Sequence, residues 1–389
     1  MQDEYLKGLD LFRIETPAYI LETQKLKKNL KLLKEVEEKS GAKILLALKG
    51  FSMYSVFPII SKYLSGTTSS GLNEALLARE YFGGEIHVYS PAFEESELRQ
   101  IARFAHTIVF NSQSQLDRFL EIAKEEAKNA GNEKLEISIR VNPEYAEVET
   151  EIYNPCAPKS RLGELKKNLR YDTYSKLDCL NFHAMCEQNS DVLERVLEHF
   201  EDKFSDVISK VKRVNFGGGH HITRPGYDVE KLIYLIKNFY KKYPNIETIY
   251  LEPGEAIALN AGVFVAEVLE IHENAGKIAI LNMAAPCHMP DVLEMPYRPM
   301  IVGSGKADEK PHTYTIAGRS CLAGDQIGEY SFDRELKVGD KLIFTDMAHY
   351  TMVKTNTFNG VNLPDIALWD GANYTIVKKF GYEEFKARI

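Results

Sequence analysis

A lysine follows a short apolar run near the start of the chain, where a charged side chain is unexpected. Residues 44–48 are Ile-Leu-Leu-Ala-Leu, which predicts a buried strand, and Lys49 comes directly after them. Removing an ammonium group from water is costly or lowers its pKa. An amine with a lowered pKa can act as a nucleophile toward an aldehyde. The alternative is a lysine whose ammonium group extends to water at the rim of the core.

Three further apolar runs also end in residues that could do chemistry. Gly217, Gly218 and Gly219 follow "VKRVNF", and consecutive glycines let backbone N–H groups converge on an anion such as phosphate. A flexible turn would explain the same three residues. Glu252 ends "TIYLE" just before a Pro-Gly turn, and His183 follows "LDCLNF". A single histidine in such a place is often a hydrogen-bonded structural residue.

A metal site is a second hypothesis for the histidines and cysteines. It would use His220, His221, Cys287 and His288. Adjacent histidines point in divergent directions in most backbones, and the sequence contains no helical ligand pair four residues apart. We therefore expect no metal centre.

The elements that carry these residues alternate between strand and helix. Helical patterns such as "LNEALLAREYF" separate eight strand-like runs, which lie at residues 44–48, 66–70, 85–90, 106–111, 135–141, 177–183, 211–216 and 248–252. This alternation predicts an α/β fold, a (β/α)8 TIM barrel, rather than an open sheet. The run "GTTSS" has poor strand propensity. A barrel of this kind places its chemistry at the C-terminal ends of its strands, where Lys49 lies.

The pattern changes after about residue 262. The segments that follow are short, β-branched and separated by turn residues, namely "GVFVAEVLEIHE", "KIAILNM", "HTYTIAG", "QIGEYSF" and "DKLIFTD". They predict a second, all-β domain. We expect a barrel over residues 26–262 and a β domain formed by residues 1–25 together with 263–389.

Composition narrows the class of protein. The chain has 389 residues and a net charge of -8, which argues against a nucleic-acid-binding surface. The first ten residues lack the features of a signal peptide, and no segment has the apolar length of a membrane span. Five cysteines without a C-x-x-C pair favour reduced thiols and a cytoplasmic protein.

Four motifs, in their order and spacing, give the chain a family resemblance. "ALKGFS", "GGGHHIT", "LEPGE" and "SCLAGD" resemble the alanine-racemase-type barrel decarboxylases that use pyridoxal 5'-phosphate, which include ornithine, arginine and diaminopimelate decarboxylases. The resemblance extends from "TPAYILE" to "TFNG". It implies a cofactor-binding barrel, an enzyme of the decarboxylase class, and a homodimer with shared active sites.

The resemblance also implies a role for each motif residue. Lys49 would form the Schiff base with the cofactor aldehyde, and His183 would stack on the pyridine ring. Glu252 would face the pyridine nitrogen and keep it protonated. The phosphate would be held by the N–H groups of the three glycines, Gly217, Gly218 and Gly219, and by the hydroxyl of Tyr350.

Two residues of the "SCLAGD" motif are expected to act across a dimer interface. Cys321 would return a proton to the carbanion formed when carbon dioxide leaves. Asp325 would contact substrate in the neighbouring subunit's site. The cysteine favours decarboxylation over a second hypothesis, a pyridoxal-phosphate racemase, which needs a tyrosine base from the second domain.

One departure from the family pattern bears on the substrate. Ornithine and diaminopimelate decarboxylases carry arginine after "EPG", whereas this chain has Glu255. A second acid, Asp291, lies where the diamine enzymes of the family contact the distal amine. The resemblance implies a carboxylated triamine as substrate, carboxynorspermidine or carboxyspermidine, and two carboxylates suit such a longer polycation. Three alternatives remain. Glu255 could be a rim residue that contacts no ligand. The substrate could be another basic amino acid, or the chain could be a non-catalytic binding homologue.

Overall fold

The computed structural model describes residues 5–295 and 297–389, which form two compact units. The barrel unit comprises Asn29–Ile257. The sheet unit comprises the residues up to Lys28 together with Ala258–Ile389. No helix in the described ranges has the length and apolar character needed to cross a membrane.

The strands are numbered in chain order. They are β1 (Ala18–Glu22), β2 (Lys43–Ala47), β3 (Gly66–Ser69), β4 (Glu85–Tyr89), β5 (Thr107–Phe110), β6 (Glu136–Val141), β7 (Cys179–Phe182), β8 (Arg213–Asn215), β9 (Thr248–Leu251), β10 (Gly262–Glu273), β11 (Lys277–Leu281), β12 (His312–Ala317), β13 (Gln326–Phe332), β14 (Lys341–Thr345), β15 (Asp365–Trp369) and β16 (Tyr374–Lys378).

The α-helices are numbered in the same way. They are α1 (Thr23–Ser40), α2 (Phe57–Ile60), α3 (Leu72–Tyr81), α4 (Glu95–Ala102), α5 (Gln113–Asn129), α6 (Ser190–Ile208), α7 (Val229–Lys242), α8 (Glu255–Ala258), α9 (Ala285–His288), α10 (Asp291–Glu294) and α11 (Tyr382–Arg388). Side chains cap the first turns of the long barrel helices: Ser112 accepts from Gln115 N–H before α5, and Asp228 accepts from Lys231 N–H before α7.

Strands β2 to β9 close into a parallel barrel in sequence order, which confirms the predicted (β/α)8 fold. All eight strand-like runs became strands, including the weak run that is now β3. Its first residue, Gly66, explains that weak propensity. A Cβ atom on Gly66 would lie 2.2 Å from the carbonyl oxygen of Glu85, so the pairing of β3 with β4 requires glycine there.

Charged residues form the layer at the N-terminal end of the barrel. Four alternate strands, β2, β4, β6 and β8, each begin with one of them. Lys43 pairs with Glu85 at 2.5 Å, and Arg213 pairs with Glu136 at 2.9 Å. Glu85 has its pKa lowered to about 2, because hydrogen bonds from His87 and Lys43 outweigh the opposing effect of burial. These two ion pairs therefore lie at the end of the barrel opposite to Lys49.

The sheet unit is built on one mixed sheet. Its strand order is β13-β12-β11-β10-β1-β15-β16, and β14 also pairs with β10. The predicted β domain is confirmed as a unit made mostly of sheet, which also contains the short helices α9, α10 and α11, and the five predicted segments are β10 to β14. Strand β1 runs antiparallel to β10 and parallel to β15. Ile20, Val263, Val265 and Trp369 contribute to its buried core.

Candidate active site

Lys49 lies two residues after β2, at the C-terminal end of the barrel. The turn that carries it is pressed against the turn after β9. A Cβ atom on Gly50 would lie 3.0 Å from the Cα atom of Gly254, and Ala47 N–H donates to the Pro253 carbonyl at 3.2 Å. The glycines of "LKG" and "EPG" are therefore needed for two loops to approach closely.

The amine of Lys49 has a lowered pKa. Its side chain is exposed to solvent, although the surrounding protein removes part of its hydration. Loss of hydration lowers the pKa, the Arg140 guanidinium lowers it further, and the Glu252 carboxylate acts in the opposite direction. A lowered pKa increases the fraction of neutral, nucleophilic amine at a given pH.

Arg140 was not singled out from the sequence, although its positive charge lowers the pKa of Lys49 and of His183. It is buried near the end of β6 and donates to the His183 carbonyl at 3.0 Å. Its guanidinium lies 4.8 Å from the centre of the Tyr89 ring. The signal available in the sequence was an arginine within the otherwise strand-like run "EISIRV".

His183 is held as a neutral ring. Its Nδ1 accepts a hydrogen bond from Gly218 N–H at 2.9 Å, which places the ring proton on Nε2. Burial lowers its pKa well below the ordinary value, and the positive charges of Lys49 and Arg140 add to that effect. A neutral, fixed imidazole at the mouth of the barrel can stack on a flat ring.

The glycine loop adopts a backbone that other residues could not follow. Gly217 and Gly219 have φ values of +70° and +84°, and a Cβ on either would lie within 2.3 Å of a carbonyl oxygen. Two of the three N–H groups have partners within the barrel, because Gly217 donates to Asn215 Oδ1 and Gly218 donates to His183. This differs from the expectation that all three N–H groups point to a phosphate. Within the described ranges, Gly219 N–H donates to no protein atom and remains for that role.

Glu252 follows β9 and is held by Asn215. Its Oε1 accepts from Asn215 Nδ2 at 2.7 Å, and its backbone N–H donates to the Gly217 carbonyl at 2.8 Å. Asn215 was also missed from the sequence. A polar residue at the end of a buried strand, directly before the glycines, was the available signal.

Glu255 begins α8 and faces a buried histidine. Its Oε2 lies 3.8 Å from His221 Nε2. The carboxylate is largely enclosed, because only 18% of its side chain is exposed. The barrel unit thus brings together Lys49, His183, the glycine loop, Glu252 and Glu255 at the C-terminal ends of its strands.

The other predicted site residues belong to the sheet unit, where Asp291 forms an ion pair. Asp291 Oδ1 lies 2.5 Å from Lys354 Nζ, and Glu294 lies 3.9 Å from the same ammonium group. Tyr350 lies in the preceding turn with a φ value of +42°, and its carbonyl accepts from Lys354 N–H at 3.0 Å. Asp291 thus has a positive partner within its own chain.

The cysteine loop, residues 318–325, is organised by Asp325. The Asp325 carboxylate accepts from Ala285 N–H at 2.7 Å, Ser320 N–H at 3.0 Å and Ser320 Oγ at 2.7 Å, and the residue is buried. Cys321 is exposed, and its N–H donates to Asn359 Oδ1 at 2.7 Å. The Asp325 carboxylate is therefore occupied by hydrogen bonds that hold the loop, and it is not open to a ligand.

The four residues of the metal hypothesis have other surroundings. His220 Nε2 lies 3.4 Å from the Phe216 carbonyl, and His288 Nε2 lies 3.0 Å from the Asn362 carbonyl. Burial lowers the pKa of each ring to about 4. Across residues 5–295 and 297–389 no group of three or more His, Cys, Asp or Glu side chains could hold a metal ion.

The barrel residues fit pyridoxal 5'-phosphate, the cofactor that the motifs imply. Lys49 supplies an amine of lowered pKa, His183 a neutral ring, and Glu252 a carboxylate fixed by one buried partner. Gly219 supplies an N–H group beside a backbone that leaves no room for side chains. These are the groups that an aldehyde, an aromatic ring, a ring nitrogen and a phosphate require.

Comparison with known proteins gives the family. The family model for "Pyridoxal-dependent decarboxylase, C-terminal sheet domain" matches residues 30–348. The chain is 46% identical to the carboxynorspermidine/carboxyspermidine decarboxylase of Campylobacter jejuni, over 97% of this chain and 99% of that protein. It is 39% identical to the carboxyaminopropylagmatine decarboxylase of Synechocystis, over 99% and 98%.

A solved structure agrees with these matches. The Campylobacter jejuni carboxynorspermidine decarboxylase, crystallised with norspermidine, superimposes with a TM-score of 0.88 at 44% identity, covering 97% of this chain and 100% of that one. The chain therefore belongs to the pyridoxal-dependent decarboxylases, enzymes that use pyridoxal 5'-phosphate as cofactor.

Proposed function

We propose that the chain decarboxylates carboxynorspermidine and carboxyspermidine, giving norspermidine and spermidine in polyamine biosynthesis. The observation that carries this proposal is the 46% identity over nearly full length to a Campylobacter jejuni enzyme of that name. The norspermidine bound in the related crystal structure supports the same substrate class. Glu255 stands in place of the arginine expected after "EPG", and its carboxylate suits a substrate that carries several ammonium groups.

The barrel residues would bind and orient the cofactor. Pyridoxal phosphate, when bound, supplies an acceptor for the electron pair that remains on the substrate carbon after carbon dioxide leaves. Lys49 would hold the cofactor through its amine, and His183 would support one face of the ring. Glu252 would hold a proton at the ring nitrogen, while Gly219 N–H and the Tyr350 hydroxyl would contact the phosphate.

Cys321 would supply the proton that completes the reaction. The bond from the α-carbon to the carboxylate breaks and releases carbon dioxide, and a proton from the thiol then forms the new C–H bond. The thiol becomes a thiolate and regains its proton from solvent. The exposure of Cys321 and the hydrogen bond from its N–H to Asn359 support this role, since the thiol is reachable and its backbone is held.

The substrate tail would be recognised by carboxylates. Glu255 would contact an ammonium group of the triamine, with His221 beside it. Asp291 would contact another ammonium group by exchanging Lys354 for the substrate, because its carboxylate already has a positive partner. Charge-assisted contacts of this kind are stronger than neutral hydrogen bonds.

We also propose a cytoplasmic homodimer with shared active sites. The cysteine loop and the neighbouring turn expose apolar side chains beside the thiol, with Leu322 and Phe358 43% and 47% exposed. A second subunit would cover this surface and receive Cys321. The five cysteines are free thiols, which suits a reducing compartment.

Turnover by the purified enzyme tests the substrate assignment. The assay compares carboxynorspermidine, carboxyspermidine, carboxyaminopropylagmatine, ornithine and diaminopimelate, and Lys49→Ala serves as the inactive control. We expect the two carboxylated triamines to have the highest kcat/KM and Lys49→Ala to lose turnover and visible absorbance with its fold retained. Preference for carboxyaminopropylagmatine, for which the 39% identity gives some support, would replace the assignment. Inversion without release of carbon dioxide would indicate a racemase, and binding without turnover would indicate a non-catalytic protein.

A further inference from the structure

Asn215 connects two parts of the site that are far apart in sequence. It is the last residue of β8 and is fully buried. Its Nδ2 donates to Glu252 Oε1 at 2.7 Å, and its Oδ1 accepts from Gly217 N–H at 2.8 Å. One side chain thus contacts both the carboxylate after β9 and the first residue of the glycine loop.

Only a side chain with a donor and an acceptor at one end satisfies both contacts. The amide of asparagine has an NH2 group for the carboxylate and a carbonyl oxygen for the N–H group. Aspartate in its place would keep the acceptor for Gly217 but would put a second carboxylate beside Glu252. Leucine has nearly the same shape and would leave both partners without their hydrogen bond in a buried place.

We infer that Asn215 is a positioning residue that fixes the Glu252 carboxylate and the glycine loop relative to each other. The carboxylate and the loop can then contact the ring nitrogen and the phosphate of one pyridoxal phosphate molecule at the same time. The inference rests on the cofactor roles given to Glu252 and Gly219 in the proposed function. It is independent of which amino acid the enzyme decarboxylates. A backbone hydrogen bond supports this geometry, because Glu252 N–H donates to the Gly217 carbonyl at 2.8 Å. The side chain of Asn215 therefore joins two segments that are also joined through their backbones.

The test measures cofactor binding by the apo-protein rather than turnover. Asn215→Leu removes both hydrogen bonds, and Asn215→Asp removes only the donor to Glu252. The matched control is Asn245→Leu, because Asn245 Nδ2 also makes two hydrogen bonds, to the Ile208 and Val211 carbonyls at 2.8 Å each, before the start of β9. The dissociation constants of pyridoxal phosphate and of pyridoxal, the visible spectrum and the melting temperature of the apo-protein are measured for each variant.

We expect Asn215→Leu to weaken pyridoxal phosphate binding by about ten- to a hundredfold, whereas Asn245→Leu lowers the melting temperature without changing that constant. Asn215→Asp should weaken pyridoxal phosphate and pyridoxal by similar factors, because the phosphate-side bond to Gly217 is retained. Its apo-protein should also lose more stability at pH 8 than at pH 5, since two adjacent carboxylates share a proton in acid.

The exchange variant Asn215→Asp/Glu252→Gln adds a rescue. The glutamine amide introduced by Glu252→Gln can donate to the new carboxylate, so the melting temperature of the apo-protein should recover. The spectrum should not recover, because the charge has moved away from the ring nitrogen. The inference is overturned if Asn215→Leu binds pyridoxal phosphate as tightly as the wild type, or if it differs from Asn245→Leu in no measured property. A wild-type enzyme that binds the cofactor but ignores triamines would instead contradict the proposed substrate and leave these binding results interpretable.

Discussion

Lys49 and Arg140 form a pair of like charges at the mouth of the barrel. Arg140 cannot lose its proton, so any relief of the repulsion must come from Lys49. The buried guanidinium is kept in place by the His183 carbonyl and the Tyr89 ring. An arginine that touches no reacting atom can therefore favour the neutral form of the nucleophile.

Replacing Arg140 should shift the pH dependence of cofactor capture. In Arg140→Met the pKa of Lys49 rises because a cause of its lowering is removed. The midpoint of the rate of pyridoxal phosphate capture, followed by visible absorbance, should then move upward by about one pH unit. The sign follows from the chemistry: only the neutral amine reacts, so the loss is largest at low pH and disappears well above the new midpoint.

Arg140→Lys is the control for that experiment. It retains the positive charge but not the planar fork, so the midpoint should stay near that of the wild type even if the rate falls. A midpoint that moves equally in both variants would show that the shape of the Arg140 side chain, and not its charge, controls the pKa of Lys49. The shift of about one pH unit expected for Arg140→Met corresponds to a free energy of about 1.4 kcal/mol.

Glu255 is the residue on which substrate choice is expected to depend. Glu255→Gln keeps the shape and removes the charge, so the contact with a substrate ammonium weakens by about 1.5–3 kcal/mol. We expect kcat/KM for the carboxylated triamines to fall by about ten- to a hundredfold, with a smaller fall for ornithine and with an unchanged cofactor spectrum. Steady-state kinetics on the two substrate classes provides the measurement.

Glu247→Gln is the matched control for Glu255. Glu247 lies just before β9, at the other end of the barrel, and pairs with Lys212 at 3.1 Å on the surface. Its replacement should leave kcat/KM unchanged. Equal kcat/KM for wild type and Glu255→Gln would reduce Glu255 to a partner of His221, and the substrate would then rest on the similarity to known enzymes alone.

At the scale of elements, the cysteine loop depends on one buried carboxylate. Asp325 accepts three hydrogen bonds, and a Cβ atom on Gly318 would lie 2.4 Å from both of its carboxylate oxygens. The loop is thus closed tightly around Asp325. The role expected from the sequence, contact with substrate, is an alternative that makes a different prediction.

Asp325→Ala should lower the free energy of unfolding of the protein by about 2–4 kcal/mol, since buried donors lose a charged acceptor. Chemical denaturation with and without cofactor gives this value. Asp333→Ala is the control, because Asp333 is an exposed member of an ion pair with Lys310, whose removal should change stability by less than about 1 kcal/mol. If Asp325→Ala retains full stability and only raises KM, substrate contact is the correct role.

Most elements could be predicted from the sequence because their pattern is local. Apolar runs separated by helical periodicity gave all eight barrel strands, and Lys49 was placed correctly at the end of the first of them. Strands β1, β15 and β16 were not predicted as strands. β1 is stabilised by pairing with β10 and β15, which lie more than two hundred residues away, so its partners are invisible in a local pattern.

The sequence proposed site residues where a motif contains them, but it gave no indication of residues whose importance depends on contacts made in the folded chain. Lys49, His183 and Glu252 follow apolar runs, and the family resemblance gave each of them a proposed role. Arg140 and Asn215 are single polar residues inside strands, and their importance comes from partners on other strands. The fate of the Gly217 and Gly218 N–H groups likewise depends on side chains that only the folded barrel brings close.

At the scale of the whole molecule, the proposed dimer divides each active site between two subunits. A site would take Lys49 from one subunit and Cys321 from the other. A chain lacking either residue would form inactive homodimers. A mixed dimer of the two variants would contain one site with both residues intact and one site with neither.

Mixing Lys49→Ala and Cys321→Ala chains should therefore restore activity. Random reassortment makes about half of the dimers mixed, and each mixed dimer has one complete site of two, so about half of wild-type activity per dimer is expected once the mixed dimers have been purified. The measurement uses chains with two different tags, unfolded and refolded together and purified through both tags before the triamine assay. As a control, Lys49→Ala is mixed with the double variant Lys49→Ala/Cys321→Ala, whose mixed dimers contain no complete site and should remain inactive. Purified mixed dimers of the two single variants that show no activity would exclude the shared site, and the thiol would have to act within its own chain.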